Sequence, residues 1–408
     1  MNKGVSSSET ICNANNDKTL LLVLAMSVFF VGASEFMLSA MLDPLSTAFR
    51  TDPVRIAWLI SSYAFAYAIT APLLGYLSDR INRGRLLRIA LLSFAIDGFG
   101  IAFSPTLEIA IALRIFGGLA SAVIIPTSFA LISEVVPRAR HASAMGAVML
   151  GMTLGIALGP ALAGLLTTWA GWRAPFLLTS TGCIVALLIG TIAMPKRPIA
   201  VAPRETHGLR WLRDVTVTRP LLAKGLWNGT GVSAFLLSGE VLRARYHLDV
   251  AHVGISVTAF GIGLGIGNLS AGKLRRVTGA EERSLVVVTG LLIASITTFY
   301  LLPLPLFGAL GCLAAWGAAL GAGAPSATTV LAERSGHDTG VVLATAETLN
   351  NVVILLIVPL ASMTLARGLI ATGTAVFATG LGIGAALTLY DAQVARARNP
   401  CKRNLPGS

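Results

Sequence analysis

The sequence predicts an all-α integral membrane protein with twelve transmembrane helices arranged as two parallel six-helix repeats. Three observations carry that reading. Of 408 residues, 54% are hydrophobic and only 12% are charged. A soluble domain carries roughly 25% charged residues, so the composition excludes a soluble enzyme. Apolar runs of about 20 residues, each able to cross roughly 30 Å of hydrocarbon, recur along the chain. The sequence also matches itself at a shift of 199 residues.

The runs lie between charged or Pro/Gly-rich breaks: Leu20–Leu42, Ile56–Leu77, Leu86–Phe103, Leu107–Ile132, Ala144–Thr168, Pro175–Met194, Leu221–Leu242, Val253–Ala271, Leu285–Leu302, Leu306–Val330, Val341–Met363 and Leu369–Tyr390. The polar stretch before the first run (Lys3, Glu9, Asp17, Lys18) has no cleavage signature, so that run is expected to stay as a span. An even number of spans puts both termini on one side. The termini and the loops on that side, with Arg88 in the adjoining first turn of the third run, hold 23 of the 31 Lys and Arg, the opposite loops hold six, and Arg114 and Lys224 fall deeper inside spans. This bias predicts that both termini are cytoplasmic. It also directs the net charge of +12 to anionic lipid headgroups rather than to nucleic acid.

The expected domains are a tail at 1–19, a six-helix bundle at 20–194, a linker at 195–220, a second bundle at 221–390 and a tail at 391–408. In the linker, Leu209, Trp211, Leu212 and Val215 stand among Arg210, Arg213 and Arg219. That pattern suits either an amphipathic segment lying on the membrane or an unstructured basic linker. Cys12, Cys183, Cys312 and Cys401 lack metal-ligand spacing and are expected as free thiols. His141, His207, His247, His252 and His337 are dispersed over loops. No metal or cofactor is therefore expected, and a membrane-embedded enzyme, which needs clustered Asp, His or Ser groups, is disfavoured.

The shift of 199 aligns Gly32, Ser34, Phe36, Leu38 and Ser39 with Gly231, Ser233, Phe235, Leu237 and Ser238. It also maps Gly118 onto Gly317, Pro126 onto Pro325, Glu134 onto Glu333 and Pro160 onto Pro359. One offset across three pairs of helices predicts two halves in the same orientation, the parallel repeats of a rocking transporter with a midplane cavity.

An Arg inside hydrocarbon costs at least about 2.5 kcal/mol, so Arg114 is expected to face a cavity or a counter-ion. At about 1.5 Å per residue it lies roughly 10 Å from the end of the fourth helix, level with Glu35 on the first and Asp97 on the third. The shift places Ala234 opposite Glu35 and Leu313 opposite Arg114, so the scaffold does not require these charges. Glu35, Arg114 and Asp97 are thus the expected proton-coupling site, because a carboxylate beside an Arg can be neutralised by it or by a proton. On the eleventh helix Glu347, Asn350 and Asn351 share one face. They either contact substrate or bond the neighbouring helix; Asn228 and Glu240 on the seventh helix are weaker candidates. Gly261, Gly263, Gly265 and Gly267 have no preceding strand and are packing glycines rather than a dinucleotide loop.

Between the second and third helices runs Gly75-Tyr76-Leu77-Ser78-Asp79-Arg80-Ile81-Asn82-Arg83-Gly84-Arg85. A turn this tight calls for a positive φ at Asn82 or Gly84. Asp79 can hold a helix N-terminus, and Arg80 and Arg83 can reach carboxylates or phosphate. The segment resembles the major facilitator superfamily signature G-x-L-x-D-R-x-G-R-K/R, matching at Gly75, Leu77, Asp79, Arg80 and Arg83 and departing at Asn82. The resemblance implies a cytoplasmic gate built from Gly75, Asp79, Arg80 and Arg83, with Glu134 as a partner for Arg83. The second half keeps only Gly272-Lys273-Leu274-Arg275-Arg276, with Arg276 where the acid would fall.

Leu113-Arg114-Ile115-Phe116-Gly117-Gly118 resembles the family's R-x-x-q-G segment, with Gly117 in place of Gln. Gly155-Ile156-Ala157-Leu158-Gly159-Pro160-Ala161-Leu162-Ala163-Gly164 is similar to g-x-x-x-G-P-x-x-G-G, found in exporters that exchange substrate for protons, with Ala163 replacing one Gly. Gly155, Gly159, Pro160 and Gly164 are its matching residues; the glycines admit a close neighbour and the proline bends the span. The resemblance covers Leu20 to Tyr390. It implies a major facilitator fold and a non-enzymatic, proton-coupled efflux protein that moves a small organic compound, such as a drug, sugar or metabolite, by alternating access. It also implies a monomer in lipid, without a cofactor. Ser34-Glu35-Phe36 and the compact length resemble bacterial sugar-efflux and chloramphenicol exporters. Uptake by symport stays as the alternative, against which the helix-five signature argues.

Overall fold

In the computed structural model, which describes residues 7–77, 82–193 and 210–398, the apolar runs become twelve helices of 20 residues or more. They are α1 (Ser7–Phe36), α2 (Trp58–Leu77), α3 (Arg83–Phe103), α4 (Leu107–Val135), α5 (His141–Ala170), α6 (Ala174–Ala193), α7 (Val215–Tyr246), α8 (Val250–Thr278), α9 (Glu281–Leu301), α10 (Leu306–Ser335), α11 (Thr339–Ala366) and α12 (Ile370–Arg398). Two short helices, Leu38–Ala48 and Pro53–Ile56, join α1 to α2, and the described residues contain no strand. Ten segments are long and apolar enough to cross a membrane, one of which, Leu306–Ala366, holds both α10 and α11. Of the twelve helices α7 alone falls outside them, because Arg219, Lys224, Asn228 and Glu240 interrupt its apolar residues.

The surface is the reverse of a soluble protein's. Ile89, Leu92 and Ile96 on α3, and Ile262, Ile266 and Leu269 on α8, stand exposed at helical spacing. Such stripes are stable against hydrocarbon and would aggregate in water, so the chain is an integral membrane protein.

Local chemistry sets the helix ends. Asp52 accepts a hydrogen bond from the Arg55 amide at 2.8 Å, with Pro53 as the first helical residue. Thr106 and Asp214 cap α4 and α7 in the same way. At α9 the last carbonyls are satisfied by an arginine: Arg245 donates to Phe299, Tyr300 and Leu302. Arg173 donates to Ala102 at the matching end of α3.

Two sequence expectations change. Asn82 has φ −58° and accepts from the Arg85 amide at 2.9 Å, and Gly84 is already helical, so neither supplies a positive φ. An N-cap needs a side-chain acceptor on a negative-φ backbone, and Asn meets that need directly. In the linker, residues 210–213 form one tight turn that buries the Trp211 indole against Val217, Leu221, Leu331 and Val342. These residues are therefore not unstructured; the apolar body of the indole holds the turn to the bundle. Residues 194–209 lie outside the described residues.

The repeat is geometric as well as sequential. Adding 199 to the limits of α3, α4, α5 and α6 gives 282–302, 306–334, 340–369 and 373–392, within about three residues of α9, α10 and α11 and within six of α12. The chain divides into two compact units, one of Met1–Arg204 with Leu248–Thr258 and one of Glu205–His247 with Ala259–Ser408.

Candidate functional site

In the first unit α1, α3 and α4 converge on Arg114, which is 1% exposed. Its Nη1 donates to Asp97 Oδ2 at 2.7 Å and to Ser34 Oγ at 3.2 Å, and its Nη2 donates to the Ser34 carbonyl at 2.9 Å. The guanidinium lies over the Tyr63 ring, 4.9 Å from its centroid, and the Tyr63 hydroxyl donates to Ser121. Asp97 is fully buried. Glu35, next to the Ser34 that Arg114 grips, is half-buried and an electrostatic neighbour of Tyr63. The three expected ionisable groups thus sit around one helix crossing, with Asp97 as the direct partner of Arg114.

Gly117, one turn beyond Arg114, is where the Asp97 carboxylate rests; a Cβ there would fall on Asp97 Oδ2. The departure from the R-x-x-q-G pattern therefore has a steric purpose. The pair is not fully satisfied: Asp97 Oδ1 and Arg114 Nε are buried without a hydrogen bond. An unmet polar atom of this kind costs about 1–3 kcal/mol.

The small residues of α5 pack backbone against backbone. A Cβ on Gly155 would meet the Phe29 carbonyl, and one on Gly159 would meet Ala33, both on α1. Gly164 faces the Val250 carbonyl and the Pro160 carbonyl faces Gly254, in the opening turns of α8 that belong to this unit. The geometry of Gly155, Gly159, Pro160 and Gly164 is that of close helix approach.

Of the expected gate, Gly75 lies in the last turn of α2, while Asp79 and Arg80 lie outside the described residues. Arg83 at the start of α3 pairs with Glu134 near the end of α4 at 2.8 Å and also donates to the Ala130 carbonyl.

In the second unit α7 and α11 are joined by polar groups. Lys224 Nζ donates to Glu347 Oε1 at 2.7 Å, Asn228 Nδ2 to Asn350 Oδ1 at 2.8 Å, and Asn351 Nδ2 to the Glu347 carbonyl at 3.0 Å. Lys224 was visible in the sequence only as a second submerged cation. Its spacing of four from Asn228, facing the Glu347 and Asn350 pair, is the signal that assigns it to this seam. Tyr63 and Ser121 gave no sequence signal, and Ser34 stood out only in the repeat and beside Glu35, because hydroxyls are ordinary in apolar helices and only packing aims them at Arg114.

Comparison with known proteins agrees with this architecture. A sequence profile described as Major Facilitator Superfamily matches residues 24–358. The chain is 27% identical over 279 residues to the uncharacterized MFS-type transporter YceJ of Bacillus subtilis (strain 168), covering 67% of this chain and 70% of that protein. It is 27% identical over 301 residues to the inner membrane transport protein YdhP of Escherichia coli O157:H7, covering 73% and 76%. A protein of Serratia proteamaculans (strain 568) named for multidrug resistance, MdtD, is 27% identical over 222 residues, covering 54% of this chain and 46% of its own length. Among solved structures, a bacterial homolog of the human lysosomal transporter Spinster superposes with TM-score 0.72 at 16% identity, covering 91% and 96%. The nucleoside transporter NupG superposes with TM-score 0.73 at 12% identity, covering 92% and 99%.

Proposed function

Because the chain belongs to the Major Facilitator Superfamily, as the match over residues 24–358 shows, we propose that this transporter couples the export of a small organic compound to proton entry. The observation that carries the reading is the sealed Arg114–Asp97 pair, held at a crossing whose repeat counterpart, Leu313 and Ile296, is apolar. Asp97 can be neutralised by Arg114 or by a proton, and protonation frees the guanidinium to turn toward the Ser34–Glu35 side of the crossing. Glu35, half-buried beside Ser34, is the group through which the proton enters and leaves. Gly155, Gly159, Pro160 and Gly164 are the antiporter signature that fits α5 closely to its neighbours, and Gly75, Asp79, Arg80, Arg83 and Glu134 form the cytoplasmic gate. Asn228, Asn350 and Asn351 contact the substrate, and Glu347 on the same face of α11 gives way to it. The relatives named for multidrug resistance favour export over uptake. The proposed setting is a monomer in the bacterial inner membrane with both termini cytoplasmic, as the Lys and Arg distribution supports.

The test is a substrate panel on reconstituted protein under an imposed pH gradient, scored by substrate-induced proton release. Glu35→Gln and Asp97→Asn should insert and fold yet lose proton-driven transport. Transport that is unchanged across pH in both variants overturns the coupling site, and net uptake under the same gradient overturns the direction.

A further inference from the structure

The second unit holds an ion pair of a different kind from the first. Lys224 is 6% exposed, whereas its partner Glu347 is 44% exposed, although both lie roughly 12 Å along their helices. A carboxylate that open within a membrane span faces water rather than hydrocarbon. The acid can therefore swing out into solvent at little cost, and the ammonium cannot. A buried, uncompensated ammonium is strongly unfavourable, so whatever displaces Glu347 has to carry a negative charge itself. One turn further along α7, the Asn228–Asn350 amide pair offers neutral donors and acceptors beside the same spot. The scaffold does not require this polarity. At the repeat-related positions in α1 and α5 stand Ala25, Phe29, Val148 and Gly151, and there a Cβ on Gly151 would meet the Ala25 carbonyl.

We propose that the α7/α11 crossing is a substrate subsite for a carboxylate-bearing small molecule, which takes Lys224 from Glu347 while the acid turns into water. The inference rests on the transport reading and adds the chemical class of the substrate and the residue that selects it. Lys224 donates to the ligand carboxylate, and Asn228 and Asn350 supply hydrogen bonds to its neutral part. Ion-pair exchange keeps the buried charge compensated in both states. Discrimination then comes from rejecting groups that cannot neutralise an ammonium.

The experiment measures equilibrium binding of three matched probes, benzoate, benzamide and benzylamine, to the full-length protein in nanodiscs with no pH gradient. Wild type should bind benzoate at least about tenfold more tightly than either other probe. Glu347→Gln removes the internal competitor, so benzoate should gain affinity, and by a larger factor than benzamide. Lys224→Gln should erase the preference and Lys224→Arg should keep it. If Lys224→Gln does not fold, the opposite signs expected of Glu347→Gln and a merely structural role still decide. Three results overturn the proposal: no preference for benzoate or no binding in wild type, tightest binding of benzylamine, or weaker benzoate binding in Glu347→Gln. Because no gradient is present, the outcome is independent of proton coupling, whose own failure would appear as unchanged transport in the Glu35 and Asp97 variants.

Discussion

Where α1, α3 and α4 meet, the first unit buries Arg114 against Asp97, with Gly117 under the carboxylate and Gly100 against the neighbouring Leu113. The positions 199 residues later on α9 and α10 hold Leu313, Ile296, Trp316 and Phe299, with Phe260 of α8 packed on Trp316. Phe260 stacks on Phe235 with ring centroids 3.9 Å apart, and Trp316 sits edge-on to both rings. One half fills the crossing with aromatic bulk, and the other clears it with glycine to admit a carboxylate and a guanidinium. At the α1/α5 crossing and its counterpart the assignment reverses, with small apolar residues in the first unit and Lys224, Glu347, Asn228 and Asn350 in the second. Each helix junction is thus compatible with either chemistry. The charges are not a folding requirement, since each half is polar at a crossing where the other is apolar.

The harshest test of that comparison rewrites the polar crossing as the apolar one. Arg114→Leu alone strands the Asp97 carboxylate and should cost about 3–5 kcal/mol in thermal or denaturant unfolding in detergent. Adding Asp97→Ile should return stability to the wild-type level or above, since well-packed apolar groups match or exceed a buried ion pair. Substrate-induced proton release should be absent in both variants. A double variant that folds and still releases protons breaks the functional half of the argument; one that does not fold breaks the structural half.

A smaller effect probes the glycine. Gly117→Ala drives a methyl onto the Asp97 carboxylate and should cost about 1–3 kcal/mol as well as impairing proton release. Gly311→Ala on α10 meets nothing within 4 Å and should be neutral or stabilising by up to about 1 kcal/mol. Equal effects at the two sites would mean that helix propensity, not the seating of Asp97, governs Gly117.

How much of this was legible in sequence follows from what helical spacing encodes. Arg114 announced itself because a charge in an apolar run is costly wherever it points, and depth alone brought Glu35 and Asp97 to its level. Depth says nothing of lateral position, so the choice of Asp97 as direct partner needed the packing of α3 on α4. The substitution of Trp316 for Gly117 was readable from the shift of 199, and it was the available clue that this crossing had been cleared on purpose. Trp211 was misjudged because alternating Arg and apolar residues describe a membrane-surface segment and a buried anchor equally well. Asn82 was misjudged because Asn favours both left-handed turns and N-caps, and the neighbouring helix start decided between them.

The charged ends of the helices extend the comparison. The first unit joins α3 to α4 through Arg83 and Glu134; the second joins α9 to α10 through Glu282 and Arg334 at 2.8 Å, with the signs exchanged. Arg334 also pairs with Asp391 of α12 at 2.9 Å. Reversing the first pair with Arg83→Glu and Glu134→Arg should recover a coupling of about 1 kcal/mol in a double-mutant cycle. The same reversal at Glu282 and Arg334 should recover nothing, because the new acid would face Asp391. Recovery in both units would show that the α12 contact contributes little.

The gentlest perturbation concerns the amides of the α7/α11 crossing. In membrane interiors a side-chain hydrogen bond between helices is worth about 0.6 kcal/mol, because each group finds other partners when the bond is lost. A double-mutant cycle on Asn228→Ala and Asn350→Ala should therefore return a coupling near that value, with unfolding in detergent as the readout. A small number is what the division between the halves requires. The first unit joins the same crossing by backbone contact at Gly151, Gly155 and Gly159. If the second unit keeps its amides for a ligand, their mutual bond has to be cheap to exchange. A coupling of several kcal/mol would make the pair a structural clasp, and the polarity of α7 would then be explained by folding instead of by what the crossing binds.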